Sequence, residues 1–217
     1  MSVICPAIMP TSDSPDNFRE AMTRLGVLGE RIQIDLMDGQ FAPHRNTEPE
    51  QVWWPEGKLA DIHLMYLYPE EAVRVLTAKR PHMIIIHAEA HGDLPEVMRL
   101  IQEAGVKAGV ALLRTTHPED ARELIEIADH VLLFGGELGG DGVAELAALD
   151  NVAYIQQLHS NIADIDARVE IGWDGGANAD NVVLIAGAGV DVINVGGALR
   201  HADDPRHEYR RLVALVS

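Results

Sequence analysis

Cysteine is nearly missing from this chain. The single thiol, Cys5, excludes a disulfide within the chain and any cysteine-built metal cluster. In an apolar first strand it acts as a small hydrophobe. Basic residues are scarce as well: 17 Lys and Arg stand against 34 Asp and Glu, a formal net charge of -17. Such a surface repels DNA, RNA and anionic lipid, so no nucleic-acid and no membrane partner is expected. An anionic substrate would need local positive potential, from backbone N–H groups, helix N-termini or a metal ion. No apolar run is long enough to cross a bilayer. The opening MSVICPAIMP has no basic segment and no apolar signal region, so the cytoplasm is the expected compartment. Low-complexity tracts and Pro/Gly-rich linkers are missing too, and residues 1–217 read as one domain.

What is present is ordinary for a globular protein, with 47% hydrophobic and 24% charged residues. Short β-rich runs recur: VICPAIM from Val3, RIQIDLM from Arg31, LADIHLM from Leu59, HMIIIHA from His82, VKAGVALL from Val106, HVLLF from His130, RVEIGW from Arg168 and DVINV from Asp191. Between them lie helical patterns. DNFREAMTRLGV opens on Asp16 as N-cap, and PEEAVRVLTAKR has Pro69 at its first helical position. LPEVMRLIQEAG ends on Gly105 as the residue beyond the cap, and HPEDARELIEIAD opens with proline and acids. The stretch from Asp150 to Asp166 fits a helix or a short extra strand. Eight strands alternating with helices predict an α/β fold, a single (β/α)8 TIM barrel. In such a barrel the active site lies where the strands end.

Alternation along the strands selects the residues that face inward. In RIQIDLM the aliphatic Ile34 and Leu36 must meet the helices, so Gln33, Asp35 and Met37 point into the barrel. A carboxylate there is costly unless it is paired, metal-bound or catalytic. By the same rule His63 and Met65 point inward from the third strand, His63 beside Asp35. His87 and Glu89 share a face at the end of the fourth strand, either as a structural hydrogen-bonded pair or as part of the site. The seventh strand ends on Asp174. Glycine pairs follow strands six, seven and eight: Gly139-Gly140, Gly175-Gly176 and Gly196-Gly197. Glycines let backbone N–H groups approach a ligand, and loops after strands seven and eight are the usual phosphate site of this fold. Two carboxylates flanking a flat substrate can take a proton from one face and return one to the other. That is epimerisation beside a carbonyl, through an enediolate whose charge a divalent metal held by Asp and His would offset.

At these residues the sequence resembles the ribulose-phosphate 3-epimerase family, a barrel of the ribulose-phosphate-binding type. The motifs are CPAIM (5–9), IDLMDGQFAP (34–43), DIHLM (61–65), HAEA (87–90), GVAL (109–112), ELGG (137–140), DGG (174–176) and GAGVDVINVGGAL (187–199). The resemblance implies a sugar-phosphate 3-epimerase interconverting ketopentose phosphates of the ribulose 5-phosphate and xylulose 5-phosphate type. Asp35 and Asp174 would be the catalytic acid and base. Asp35, His63 and Asp174 would hold a divalent metal, with Gln33 standing where the family has a histidine. Met37 and Met65 would be pocket walls, and the three glycine pairs would bind phosphate. The substrate implied is a small anionic sugar, and a homo-oligomer is implied as well. The chain departs from the family pattern at Ala7 and Pro10, where the family has serines, at Glu137, which replaces a glycine, and at Leu113-Arg114, which replaces Asn-Pro. Arg200, after the last glycine pair, offers a positive charge or sits on a surface helix. Two alternatives stay open: another isomerase or lyase acting on a different sugar, and a non-catalytic relic. The related lyases would carry a lysine in the third strand, and ADIHLMYLY has none. Trp53-Trp54 is expected to be an interface, a lid or a loop anchor.

Overall fold

A computed structural model describes residues 1–140, 142–160 and 168–217. Its strands are β1 (Val3–Ile8), β2 (Arg31–Met37), β3 (Leu59–Met65), β4 (Met83–His87), β5 (Lys107–Leu113), β6 (His130–Phe134), β7 (Glu170–Asp174) and β8 (Val192–Val195). All neighbours are parallel, and β8 pairs with β1, so the sheet closes into a barrel in chain order. The helices around it are α1 (Pro15–Leu25), α2 (Glu70–Thr77), α3 (Leu94–Glu103), α4 (Arg122–Ile127), α5 (Asn151–Ser160), α6 (Val182–Gly187), α7 (Gly197–Arg200) and α8 (Pro205–Val216). The predicted (β/α)8 barrel is the observed fold. No helix among the described residues is long and apolar enough to cross a membrane.

Local chemistry explains most of the boundaries, and three expectations need correction. Asp16 is not an N-cap: Pro15 starts α1 after Ser14, and Asp16 lies in the first turn, paired with Arg19 at 2.7 Å. Pro69 is the N-cap of α2 rather than its first helical residue. The HPEDARELIEIAD stretch is split, with a 3-10 turn over Pro118–Ala121 preceding α4. Gly105 does follow α3 with φ of 76°, a left-handed conformation that suits glycine. Of the ambiguous stretch, residues up to 160 are helical, a 3-10 turn over Leu146–Asp150 running into α5, and the remainder lies outside the described residues. Trp54 packs against the main core while Trp53, 43% exposed, sits edge-on against Phe18, so the pair anchors its loop.

Alternation along each strand divides the core in two. The outward residues, Ile32, Ile34 and Leu36 on β2 among them, pack with the helices into one continuous apolar layer. Inside the barrel a small apolar cluster of Met83, Ile85, Ala111 and Leu132 separates two polar ends. The end at the strand starts is a buried ion cluster. Arg31 donates to Asp61 at 2.5 Å and to both oxygens of Glu170 at 2.8 and 2.7 Å. His82 bonds Asp61 at 2.7 Å, and His130 bonds Glu170 at 2.8 Å. Burial alone would raise the Glu170 carboxyl, but the hydrogen bonds from His130 and Arg31 prevail and hold it well below the usual carboxylate range. The other polar end, at the strand C-termini, is the site.

Candidate active site

The site is built on the ends of β2, β3 and β7, with β4 behind it. The β2–β3 register places Asp35 beside His63, and the β6–β7 register places Phe134 beside Asp174. The loop after β2 is pinned in turn. The Asp38 carboxylate accepts from Gln40 N and Phe41 N, both at 2.8 Å, and from Leu67 N at 2.7 Å. Buried Asn46 accepts from Met37 N at 2.9 Å and donates to the Asp35 carbonyl at 2.9 Å. Asp38 in the IDLMDG motif thus holds the loop.

Four side chains converge on one point. Gln33 Nε2 donates to Asp35 Oδ1 at 2.8 Å and to Asp174 Oδ2 at 2.6 Å. His63 Nδ1 lies 3.1 Å from Asp35 Oδ1 and 3.5 Å from Asp174 Oδ2. All four are buried. Burial, and then the negative charge of Asp174, push the Asp35 carboxyl up. Burial by itself lowers the His63 imidazolium, but hydrogen bonds to Asp174 and Asp35 hold it up to about 9. Behind it, His63 Nε2 meets His87 Nε2 at 2.9 Å, and His87 Nδ1 meets Glu89 Oε2 at 3.2 Å. Burial, with the neighbouring His63 charge against it, lowers His87 to about 4, so this second ring is neutral.

The donor set fits a divalent cation. Asp35, His63 and Asp174 each offer one ligand atom, all within 4.8 Å of one another, and carboxylate with imidazole suits ions such as zinc or manganese. The fourth corner is held by Gln33, whose Oε1 is buried with no hydrogen-bond partner. A buried amide oxygen left unpaired is unfavourable. Rotating the amide by half a turn would exchange its oxygen and nitrogen, and only a cation at the centre would make an oxygen there favourable. Turned in that way, the amide would supply a fourth ligand atom beside Asp35, His63 and Asp174. Without the cation, the His63 proton occupies this point. Cation binding is therefore expected to release a proton, and apparent affinity to fall as pH drops below about 9, measurable by calorimetry in buffers of different ionisation enthalpy. In metal-free protein the raised His63 value stabilises the fold below about 6.5, and that contribution is lost as pH rises through about 9.

Above these residues opens a cavity of about 360 Å³, within the usual range of about 300–1,000 Å³ for small-molecule sites. Asp35, Asp174 and Met65 line it, as do Gly139, Gly140, Gly175, Gly176, Gly196 and Gly197. The sequence-predicted glycine pairs are thus brought together around one space. Gly175 could be nothing else: its φ is 112°, and a Cβ would stand 2.2 Å from Gly136 N. Met37 is not part of this cavity. It lines an adjacent one with Pro10 and His44, and packs with Met65 and Ala42. Gln33 and His63 lie beneath the floor, fully buried. Glu137 lines the cavity but is exposed. Arg200 lines it too, on α7, with Nη1 3.5 Å from the Met9 carbonyl, and His201 stands next to it. Arg114 pairs with Glu145. Sequence reasoning missed Phe134 and Met9 as walls. Phe134 was legible in principle, as the last inward position of the HVLLF strand.

Comparison with known proteins gives the family and the fold. The sequence model of the Ribulose-phosphate 3 epimerase family matches residues 4–200. Ribulose-phosphate 3-epimerase of Mycobacterium bovis is 30% identical over 208 residues, 92% of this chain and 88% of the relative. That of Bacillus subtilis is 29% identical over 177 residues, 80% of this chain and 81% of the relative. Among solved structures, 3-keto-L-gulonate-6-phosphate decarboxylase from Vibrio cholerae superposes with a TM-score of 0.69 at 11% identity, covering 100% of this chain and 98% of the other. 3-hexulose-6-phosphate synthase from Salmonella typhimurium gives a TM-score of 0.65 at 16% identity, with the same coverage of 100% and 98%. These two likenesses show the barrel fold.

Proposed function

The chain belongs to the ribulose-phosphate 3-epimerase family, a family of isomerases, and from that premise we propose that it interconverts ketopentose phosphates of the ribulose 5-phosphate and xylulose 5-phosphate type. The observation that carries this reading is the pair Asp35 and Asp174. Both open into one cavity, and both are bonded to the same Gln33 amide.

The C3 hydrogen of such a substrate is acidic because C2 is a carbonyl. One carboxylate removes it, leaving a planar enediolate, and the other returns a proton to C3 from the opposite face. The pair must then hold one proton between them at the start, and the upward shift of the Asp35 carboxyl beside Asp174 supports this. Without a cation, Gln33 donates to both and fixes their orientation. With its amide turned over, Gln33 would join Asp35, His63 and Asp174 in holding a divalent cation, whose positive charge would stabilise the enediolate oxygens. Met65, Met9 and Phe134 line the cavity as apolar walls and exclude water from the reacting carbon. The glycine loops supply backbone N–H groups for the phosphate, and Arg200 adds positive charge on the same wall.

The test is proton NMR in deuterated water. Ribulose 5-phosphate should acquire deuterium at C3 and xylulose 5-phosphate should appear. Neither event, with metal supplied, sinks the reading and leaves another sugar isomerisation or a relic. Release of a one-carbon or longer fragment would instead favour a lyase, against which the third strand's lack of lysine counts.

A further inference from the structure

The HAEA segment at the end of β4 takes no part in the chemistry above, yet it touches the site. Glu89 Oε1 accepts the Leu113 backbone N–H at 2.9 Å, and its Oε2 faces His87 Nδ1 at 3.2 Å. The far nitrogen of His87 faces His63 Nε2 at 2.9 Å. The rings cannot turn freely. Phe41 packs on His87 with centroids 4.6 Å apart, and Phe134 contacts both histidines at 5.7 and 5.8 Å.

Hydrogen positions in this row follow from one fixed acceptor. A carboxylate can only accept. Glu89 therefore requires a hydrogen on His87 Nδ1, which leaves the neutral His87 ring with a lone pair on Nε2. His63 must then donate from Nε2. Its Nδ1 is left as the atom presented to Asp35 and Asp174, able to turn a lone pair towards a cation. We propose that Glu89, two histidines removed from the carboxylate pair, is a positioning residue that dictates which nitrogen of His63 carries its hydrogen and so sets the affinity of the site for a divalent cation. The effect on affinity rests on the reading of His63 as a ligand; the placement of its hydrogen does not.

Glu89→Gln separates the possibilities. The Leu113 N–H demands an oxygen, so the carboxamide of the variant keeps its oxygen there and aims its NH2 at His87. His87 must then accept on Nδ1 and carry its hydrogen on Nε2. That hydrogen meets His63 Nε2, which becomes the acceptor, and the His63 hydrogen stands on Nδ1, in the cation's place. Long-range proton–nitrogen NMR reads these positions directly. Wild type should show hydrogens on His63 Nε2 and His87 Nδ1, with a second hydrogen on His63 Nδ1 only while no cation is bound. The variant should show them on His63 Nδ1 and His87 Nε2. Titration with Mn2+ alone, followed by water proton relaxation, should show affinity lower by about 10- to 100-fold. Glu89→Asp, which keeps an acceptor-only group, should retain the wild-type hydrogen positions, an effect that a merely structural role does not predict. A wild-type His63 without a hydrogen on Nε2 overturns the proposal before any variant is made. So does a Glu89→Gln protein with moved hydrogens and unchanged Mn2+ affinity. A wild type that binds no Mn2+ while showing the expected hydrogen positions refutes the ligand reading and leaves Glu89 as the residue that orients His63.

Discussion

Asp174→Asn is expected to slow deuterium entry at C3 of the substrate by about 10²- to 10⁴-fold, the range a single general acid–base group contributes. Asparagine has nearly the shape of aspartate but cannot take up a proton. The fold should survive, because the wild-type site confines two carboxylates around one amide nitrogen, at 2.8 and 2.6 Å from it. Removing one of them relieves repulsion but also takes a charged partner from His63, so the metal-free variant should melt within a few degrees of wild type. A second consequence separates a chemical role from a structural one. After burial, the charge of Asp174 is the largest cause lifting the Asp35 carboxyl. With that charge gone Asp35 titrates lower, and the acidic limb of any residual activity should move to lower pH. An exchange rate within a few-fold of wild type would remove Asp174 from proton transfer.

Arg31→Ala is expected to have the largest effect on stability. The guanidinium is the only cation among the described residues that bonds both Asp61 and Glu170 inside the barrel. Its loss leaves Asp61, 2% exposed, without its strongest partner. Breaking a buried ion pair from one side typically costs about 3–5 kcal/mol, which for a domain of this length is a fall in melting temperature on the order of 10 °C. Arg31→Met with Asp61→Leu should melt higher than Arg31→Ala, since the most deeply buried carboxylate is removed with its partner and Glu170 keeps His130. Thermal melts of the three proteins decide it. Equal melting temperatures for wild type and Arg31→Ala would show that solvent, not Arg31, neutralises the cluster.

Much of the site is legible along the chain because its signal is local. A strand alternates with period two whatever surrounds it. That rule alone put Gln33, Asp35, His63 and Met65 on the inner face, and each of them is there. Glycine pairs after three successive strands announced a backbone-lined pocket, and all six residues border it. Helix starts were less legible. At Asp16 and Pro69 a proline and an acid compete for neighbouring positions, and the boundary moved by a residue or two.

By itself, then, the sequence determined the strand count, the inward set and the two carboxylates, Asp35 and Asp174, at the strand ends, since each depends on short-range periodicity and residue chemistry. Only the tertiary structure decided which of these residues meet. The Gln33 amide lies between Asp35 and Asp174, the latter 141 residues away in sequence. Arg31 reaches Glu170 across 139 residues. Met37 and Met65 share register on adjacent strands, yet only Met65 borders the main cavity. His63 and His87 come into contact although β-pairing sets His63 beside Ile85. These meetings depend on the tilt and stagger of strands in a closed barrel, which set the height of each side chain relative to those across the lumen. Closure is a global condition, so no window of the chain contains it.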